Sequence, residues 1–462
     1  MRQIVHIPQN FTPETDIVGY NKRHKDKYLW VVHSIVFGKF LNYKSEYGGV
    51  NLNMELLQKF LGSNYTIKVI NQLVESKVIE VGKNYQPDVF SKAYRLTPKF
   101  SSAKIEPRYL DKKTYSKKLQ RFREQHLRDV IRGNPNILHE FNNLTRLRID
   151  REEAEAYIEA HYYKNTDQYN SRMLAVHYLD QLHKADFRDG VYKIDFFFKV
   201  KGGRVYSPYT SCPKDLEQFL YFPKYGRLIE ADAKNSQLVF ANKLLNRESQ
   251  SIDNQVFISN SDNIKEKVIE KRGFGEVAQI YDPKNPYLNL PSTSPLYVIH
   301  FRLNHLISNG WDSVISEGMA YEVMMHLTKF NGKTLGHKKH DRDEFKEVFF
   351  GNLFYNKFNV NRMTQMEKTF YEFFPDEAIK LFTAKTMYGN GGFAIKVQEL
   401  EGNLFHHQIV GLMRRKFKSI PFVIKHDSIK FPITYADELL PLLDEILKTS
   451  LDDNRLTFKI TY

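Results

Sequence analysis

The hydrophobic pattern of the chain changes from helical to strand-like spacing near residue 190. Apolar residues recur every three or four positions through most of 106–190, which predicts amphipathic helices. Alternation of apolar and polar residues predicts a strand at Tyr192–Val200, and Gly202-Gly203 then indicates a turn. Helical spacing returns over 296–330 and 435–450. No run of about 18 apolar residues occurs, so no membrane span is expected.

The first 105 residues carry helices and strands in the order of a winged helix-turn-helix. A helix is predicted over 28–44, a short helix stops at Gly62, and a second helix follows over 65–77. Two strand-like runs, Val78–Val81 and Ala93–Leu96, would form the wing. The residues expected to face outward on the second helix, toward a DNA major groove, are Tyr65, Thr66, Lys68 and Gln72. Those expected to face inward are Ile67, Ile70, Leu73 and Val74. The alternative is a generic three-helix packing unit.

Positive charge is concentrated in the N-terminal part of the chain. The formal net charge is +14, and residues 1–134 hold 24 Lys and Arg against 12 Asp and Glu, so 24 − 12 = +12 of that excess lies there. The density is greatest over 112–132, which includes Lys117, Lys118 and Arg121. A polyanion such as DNA is the natural partner, because neutralised phosphates release counterions. A solvated basic helix is the alternative.

Cysteine content and the N-terminal residues bear on the cellular compartment. Cys212 is the single cysteine, which excludes an internal disulfide and a Cys-rich zinc site. The first residues lack the apolar core of a signal peptide. A reducing, cytoplasmic location is therefore expected.

Two aspartates stand where predicted strands end. His426-Asp427 lies between alternating apolar residues, a pattern that predicts a β-hairpin with a carboxylate at its turn. Asp232 ends an apolar strand, and a helix begins at Ser236. A strand-end Asp and a hairpin-turn Asp on neighbouring strands can hold two Mg²⁺ ions about 3.5–4 Å apart. For Asp232 alone, a helix N-cap is the alternative.

A third element carries cations on one helical face. Arg342, Lys346 and Phe350 recur at intervals of four residues, so they share one face of the predicted helix. Two cations and an aromatic ring on one stripe suit a nucleoside triphosphate with a stacked base. The alternative is a surface helix whose cations extend into solvent.

In this order the elements resemble the polymerase domain of family A DNA polymerases and of their single-subunit phage RNA polymerase relatives. The resemblance covers roughly residues 200–435. The first motif is similar to Ile229–Asp232 with Ser236-Gln237 after it, and the third is similar to Phe422–Phe431. Arg342, Lys346, Phe350 and Gly351 have the spacing of the second motif. Two further segments resemble the family: Gly203–Pro208, which is similar to a segment that approaches the primer-template, and Ala394–Glu399, which contains Gln398.

The resemblance implies an α+β fold, with the palm, fingers and thumb of a right-hand polymerase after an α-rich winged-helix domain. The expected domains are a winged-helix DNA-binding domain at 1–105, a basic helical thumb or linker at 106–200, and palm and fingers at 201–462. Asp232 and Asp427 would hold two Mg²⁺ ions, with Mn²⁺ as the alternative metal, and Lys346 would join them in catalysis. The residues implied to contact the nucleoside triphosphate are Arg342, Lys346, Phe350, Gln237 and Tyr355. The residues expected to contact the DNA template and primer are Arg204, His426, Gln398, Tyr65, Lys68, Lys117, Lys118 and Arg121.

Departures from the family pattern leave the substrate open. Ser236-Gln237 follows Asp232 by four residues rather than two, and Gln237 replaces the Glu with which DNA polymerases exclude a ribose 2′-hydroxyl. A second segment, Lys380 to Gly389, has the Lys-to-Tyr-Gly spacing of the RNA polymerase form of the second motif. The 342–355 segment is preferred, since it retains the Arg.

The sequence therefore predicts a template-directed DNA polymerase without a proofreading exonuclease, associated with a phage, plasmid or other mobile element. Phe350-Gly351 favours this interpretation, because it resembles the DNA polymerase form of the second motif. One alternative is a primer-independent RNA polymerase or primase. The other is a replication initiator with a degenerate palm.

Overall fold

The structure is a computed structural model that describes most of the chain. The described residues are 4–40, 49–52, 54–82, 93–111, 113–164, 166–188, 191–194, 196–233, 236–248, 260, 262–266, 305–328, 339–389, 391–451 and 457–461. Their elements combine helices with antiparallel strand pairs, so the expected mixture of helix and strand is confirmed. The right-hand arrangement and the domain boundaries stay predictions.

One buried core joins the N-terminal helices to two small sheets. The strands are β1 Ile4–Pro8, β2 Val50–Asn51, β3 Ile79–Val81, β4 Ala93–Leu96 and β5 Ile105–Tyr109, with β1 paired to β5 and the others in the order β2-β4-β3. The helices are α1 Pro13–Asp16, α2 Lys25–Phe40, α3 Met54–Leu61, α4 Ser63–Glu75 and α5 Pro98–Ser101. The order helix, turn, helix and strand pair agrees with the sequence analysis.

The phase of α4 differs from the prediction at two positions. Thr66 is fully buried, whereas Ile67 is 57% exposed. The helix begins at Ser63, and Thr66 Oγ1 donates a hydrogen bond of 3.0 Å to the carbonyl of Gly62. This bond satisfies the hydroxyl, so the face through Thr66, Val69 and Leu73 can be buried. The predictions that Thr66 faces outward and Ile67 inward are therefore wrong.

A second core lies under the basic helix and the helices that follow it. The helices are α6 Lys113–Ile131, α7 Pro135–Leu144, α8 Arg151–His161 and α9 Asp167–Gln181. The strands are β6 Arg148–Ile149, β7 Asp186–Arg188, β8 Val191–Lys193, β9 Lys199–Lys201, β10 Arg204–Tyr206 and β11 Leu220–Tyr221. The single strand predicted at Tyr192–Val200 is thus two short strands, and β9 and β10 are joined by the predicted Gly202-Gly203 turn, where φ is +57° and +75°.

The third core surrounds a four-stranded antiparallel sheet. Its strands are β12 Leu228–Ala233, β13 Val423–Lys425, β14 Ser428–Pro432 and β15 Phe458–Thr461, in the order β13-β14-β12-β15. The helices are α10 Ser236–Glu248, α11 Trp311–Ser316, α12 Ala320–Thr328, α13 Lys339–Phe350, α14 Gln365–Phe373, α15 Pro375–Tyr388, α16 Gly392–Gly402, α17 Val410–Lys416 and α18 Ala436–Leu451. The hairpin, the strand to Asp232 and the last helix were predicted and are confirmed. The loop predicted at 282–295 lies outside the described residues.

A close backbone approach joins α16 to the turn before β10. A Cβ atom on Gly402 would lie 2.2 Å from the carbonyl oxygen of Gly203, so only glycine fits there. The contact sets the last turn of α16 against the start of β10, which carries Arg204. Among the described helices, none is long and apolar enough to cross a membrane.

Candidate active site

Asp232 and Asp427 lie at the same end of two paired strands. Asp232 on β12 stands opposite Ser428, the first residue of β14, and Asp427 precedes Ser428 in the hairpin turn. The amide of Ala233 donates a hydrogen bond of 2.9 Å to the carbonyl of Asp427. His426 takes φ +56° in this turn, a left-handed conformation that is uncommon outside glycine. The turn therefore brings the two carboxylates together, as the sequence predicted.

The electrostatics of the pair agree with this geometry. Burial, together with the negative charges of Asp427 and Glu230, raises the pKa of Asp232 to about 7. Lys214 and Lys459 oppose the shift. Two carboxylates that repel each other across a short distance gain free energy when a cation lies between them.

The donor set fits a divalent hard cation. Asp232 and Asp427 supply carboxylate oxygens, and Mg²⁺ is commonly bound through one or two carboxylates plus substrate phosphates. Within the described ranges, no group of three or more His, Cys, Asp or Glu side chains is placed to hold a metal ion. The described part of the protein would therefore contribute these two carboxylates, and the remaining ligands would come from substrate and water.

Ser236, the first residue of α10, fixes one of the carboxylates. Its hydroxyl donates a hydrogen bond of 2.5 Å to Oδ2 of Asp427. The bond leaves Oδ1 of Asp427 for other ligands. Gln237, the next residue, is partly buried at the start of the same helix.

His426 is held neutral beside the pair. Burial, followed by the charges of Arg204 and Lys425, lowers the pKa of His426 to about 4. Its ring centroid lies 6.3 Å from that of Tyr206. The imidazole is therefore uncharged at neutral pH and presents a hydrogen-bonding group rather than a cation.

Arg204 lies next to the hairpin but is paired inside the protein. It is 8% exposed, and its Nε and Nη2 donate to the two carboxylate oxygens of Glu401 at 2.7 and 2.6 Å. Burial raises the pKa of Glu401 to about 7, and the charge of Asp427 acts in the same direction. Arg204 was expected to contact nucleic acid, and such a contact would require this pair to open.

The predicted triphosphate stripe converges on Tyr321, a buried residue of α12. The guanidinium carbon of Arg342 lies 4.9 Å and Nζ of Lys346 lies 5.0 Å from the centroid of its ring. The Phe350 ring lies 6.0 Å from the same ring. Burial raises the pKa of Tyr321, Arg342 opposes this, and Asp427 adds to it. The charge of Asp427 therefore acts on the residue whose ring Arg342 and Lys346 both contact.

Tyr355 and Gln398 lie near the segment that carries Arg204. Tyr355 ends a π-helical turn, Gly351–Tyr355. Burial raises the pKa of Tyr355, the charge of Arg204 opposes this shift, and the charge of Glu401 adds to it. Gln398 on α16 lies by the Gly202 turn: a Cβ on Gly202 would be 3.6 Å from its Oε1.

The remaining predicted nucleic-acid residues lie on two other helices. Tyr65 and Lys68 are exposed on α4, and Nζ of Lys27 lies 3.5 Å from the Tyr65 ring centroid. Three further cations are exposed on α6: Lys117, Lys118 and Arg121. Helix α6 packs on α3 through Phe122 and Phe60, whose ring centroids are 5.3 Å apart. The structure thus does not place these residues at the carboxylate pair.

Three site residues escaped sequence reasoning. Tyr321 resembles any core aromatic in its helix, so no signal marks it. Glu401 lies on the apolar face of α16 with Phe393 and Val397, and an acid on such a face indicates a buried partner. Lys214 has a side chain that is 72% exposed and binds Glu230 at 3.2 Å, and only the fold brings it near Asp232.

Comparisons with known proteins give little additional guidance. The sequence matches no family model, and no curated protein matches it. One solved structure with detectable similarity is the POL domain of Pol1 from M. smegmatis in complex with a DNA primer-template and dNTP, at 10% identity and a TM-score of 0.25. The match covers 68% of this chain and 55% of that one, so the chain spans about half of that structure's length. A superposition of this quality does not assign the fold.

Proposed function

We propose that this protein is a template-directed nucleotidyltransferase. The observation that carries the proposal is the convergence of Asp232 and Asp427 at one sheet end, together with the contact that Arg342 and Lys346 both make with the ring of Tyr321. Carboxylates for a metal on one side and cations for a triphosphate on the other are what phosphoryl transfer requires, since it depends on positioning and charge neutralisation.

The reaction joins a nucleotide to a growing strand. The primer 3′-oxygen bonds to the α-phosphorus, the bond from that phosphorus to the bridging oxygen breaks, and pyrophosphate leaves. The 3′-hydroxyl proton passes to solvent. Asp232 and Asp427 would hold Mg²⁺ or Mn²⁺, which supplies Lewis-acid activation of the hydroxyl and neutralises phosphate charge.

The residues of the chain have separate roles in this proposal. Ser236 orients Asp427. Lys346 stabilises the charge that develops on the leaving pyrophosphate, and Arg342 holds the triphosphate. Phe350 stacks on the incoming base, while Gln237 and Tyr355 border the sugar. The proposed contacts to the primer-template near the hairpin are His426 and Gln398, and Arg204 would join them when its pair with Glu401 opens.

The basic helix and α4 would bind the nucleic acid outside the active site. Lys117, Lys118 and Arg121 would neutralise backbone phosphates, whereas Tyr65 and Lys68 on α4 would contact a duplex groove. We infer a DNA polymerase without proofreading that replicates a phage, plasmid or other mobile element.

Extension of a primed template in the presence of Mg²⁺ tests the proposal. The wild-type protein should add nucleotides, and Asp427→Ala should abolish addition while circular dichroism remains unchanged. Equal activity of Asp427→Ala and wild type would remove Asp427 from the reaction.

A ribonucleotide-polymerising enzyme is the second candidate, and Gln237 is the observation that favours it. Gln237 stands at the position where the family's DNA polymerases have the Glu that blocks a ribose 2′-hydroxyl. Incorporation assays with deoxyribonucleotides and ribonucleotides, each with and without primer, separate a DNA polymerase from an RNA polymerase or primase.

A further inference from the structure

A cleft of about 480 Å³ opens between the N-terminal helices and the basic helix. It is lined by α2 and α3 on one side, by α6 on another, and by Ile194 and residues 196–199 on the third. The cleft belongs to neither the carboxylate pair nor the α13 stripe. Its volume is in the range of pockets that bury a small molecule or one nucleotide unit.

Aromatic rings form the walls of this cleft. The Trp30 ring lies 5.8 Å from Phe60, and Phe60 lies 5.3 Å edge-on to Phe122. Phe122 is 37% exposed, and its ring lies parallel to that of His126, at 4° and 6.3 Å. A flat ring entering the cleft would therefore meet aromatic faces that are held in place by one another.

The charge around the cleft is positive. The cations Arg123 and Lys199 line it, and among its described lining residues there is no Asp or Glu. Aromatic walls beside Arg123 and Lys199 are complementary to a base that carries an anionic phosphate.

Two ring contacts connect the cleft with the active site. Lys199 lies at its rim, and Nζ of Lys199 is 5.5 Å from the centroid of the Tyr206 ring. The Tyr206 ring lies 6.3 Å from that of His426, which precedes Asp427. These contacts link the rim of the cleft to the hairpin that carries Asp427.

We propose that this cleft is a base-binding subsite for single-stranded nucleic acid. One unpaired base inserts against Trp30 and Phe122, and its phosphates lie against Arg123 and Lys199. This inference rests on the proposed function in one respect only: it takes nucleic acid to be the protein's partner. The subsite would hold an unpaired part of the strand outside the active site.

Tryptophan fluorescence measures the subsite directly. The chain has two tryptophans, Trp30 in the cleft and Trp311 in the third core, so Trp311→Phe leaves Trp30 as the reporter. This protein is titrated with a thymidine oligonucleotide and with an abasic strand of equal length, without metal or triphosphate. Stacking predicts that the thymidine strand quenches Trp30 and the abasic strand does not. Equal quenching by both strands, or by neither, would contradict the subsite.

Variants separate stacking from general charge attraction. Phe122→Ala should weaken binding of the thymidine strand by roughly 5- to 140-fold, the range that corresponds to base–aromatic stacking, with little effect on the abasic strand. Tyr163→Ala is the matched control, because Tyr163 is 88% exposed after α8 and should bind as the parent does. Equal affinity of Phe122→Ala and the control for the thymidine strand would overturn the proposal. It would also be overturned if an apolar dye quenched Trp30 and the thymidine strand failed to displace that dye.

The outcome is independent of catalysis. Asp427→Ala in the Trp311→Phe background should retain the quenching even though incorporation is lost. Quenching without incorporation in the parent protein would support the subsite and reject the polymerase proposal, whereas incorporation without quenching would do the reverse.

Discussion

The amide of Ala233 donates a hydrogen bond of 2.9 Å to the carbonyl of Asp427, and this bond ties the end of one strand to the turn of the neighbouring hairpin. Asp232 directly precedes Ala233, so the bond fixes the separation of the two carboxylates through the backbone. Burial raises the pKa of Asp232, and the charge of Asp427, which this arrangement holds nearby, adds to the shift.

Without metal, Asp232 should cost stability at neutral and higher pH. Its folded pKa of about 7 lies above the ordinary unfolded value of about 3.9, so the unfolded chain loses the proton first. The contribution of Asp232 to the free energy of unfolding is therefore most favourable below about pH 4, and it is lost as the pH rises to about 7. Asp232→Asn should therefore stabilise the metal-free protein by about 2–4 kcal/mol at pH 8, and less at pH 5.

Urea unfolding in a chelator at both pH values measures this gain. Asp262→Asn serves as the control, because Asp262 is exposed and its substitution should change little. An equal gain for Asp232→Asn at both pH values would show that its charge is not the cause.

The Arg204–Glu401 pair should be costly to break from one side. Arg204→Met leaves the Glu401 carboxylate buried with its main partner removed, and such losses destabilise by about 3–5 kcal/mol. The double variant Arg204→Met/Glu401→Met removes both charges and should recover most of the loss. Urea unfolding of Arg204→Met, Glu401→Met and the double variant measures the coupling energy between the two residues. Strictly additive losses of stability would argue against the pair.

Gly402→Ala should separate α16 from the turn before β10. The new Cβ would lie 2.2 Å from the carbonyl of Gly203, and overpacking of this kind costs about 1–3 kcal/mol or more. Gly351→Ala is the control, because a Cβ there meets no described atom within 4 Å. Thermal unfolding should show a clear loss for Gly402→Ala alone, and similar melting temperatures for both variants would contradict the close approach.

Lys346 and Arg342 on α13 should affect different kinetic parameters of nucleotide incorporation. Lys346→Ala should lower the single-turnover rate by about 10²- to 10³-fold, the range for removal of one group that stabilises developing charge, whereas Arg342→Ala should mainly raise the triphosphate concentration needed for half-maximal rate. Lys357→Ala, at an exposed position beyond the π-helical turn, is the control. Rates that are unchanged in Lys346→Ala would exclude Lys346 from a catalytic role.

Cations of α6 should set the salt dependence of DNA binding. Removal of one phosphate contact lowers the slope of log affinity against log salt by about 0.7–0.9. Lys118→Ala should produce this change at any DNA sequence. Lys164→Ala is the control, because Lys164 is exposed and lies outside α6, and it should leave the slope unchanged. Fluorescence anisotropy at several salt concentrations measures the slopes, and identical slopes for all proteins would exclude α6 from the interface.

Elements whose signal is local were predictable from the sequence. The alternation around His426-Asp427 and the apolar strand before Asp232 predicted strands, and the order of the motifs placed the two aspartates together. The spacing of Arg342 and Lys346 placed them on one face, and both do contact one ring.

Features that depend on distant partners were not predictable. Tyr321 lies on α12 and Lys346 lies on α13, and no spacing rule connects positions on two different helices. Glu401 and Arg204 are 197 residues apart, so their ion pair follows only from the fold. The phase of α4 was misjudged because Thr66, a polar residue, is buried by a local hydrogen bond to Gly62.

Single-nucleotide addition to a primed template, measured at a series of Mg²⁺ concentrations, tests the central claim most directly. The wild-type protein should show metal-dependent addition, and Asp232→Asn and Asp427→Asn should each lose it, while Asp215→Asn, on the 3₁₀ turn Lys214–Phe219, should retain it. Metal-dependent addition that persists in both Asp232→Asn and Asp427→Asn would contradict the assignment of these two carboxylates as the catalytic pair.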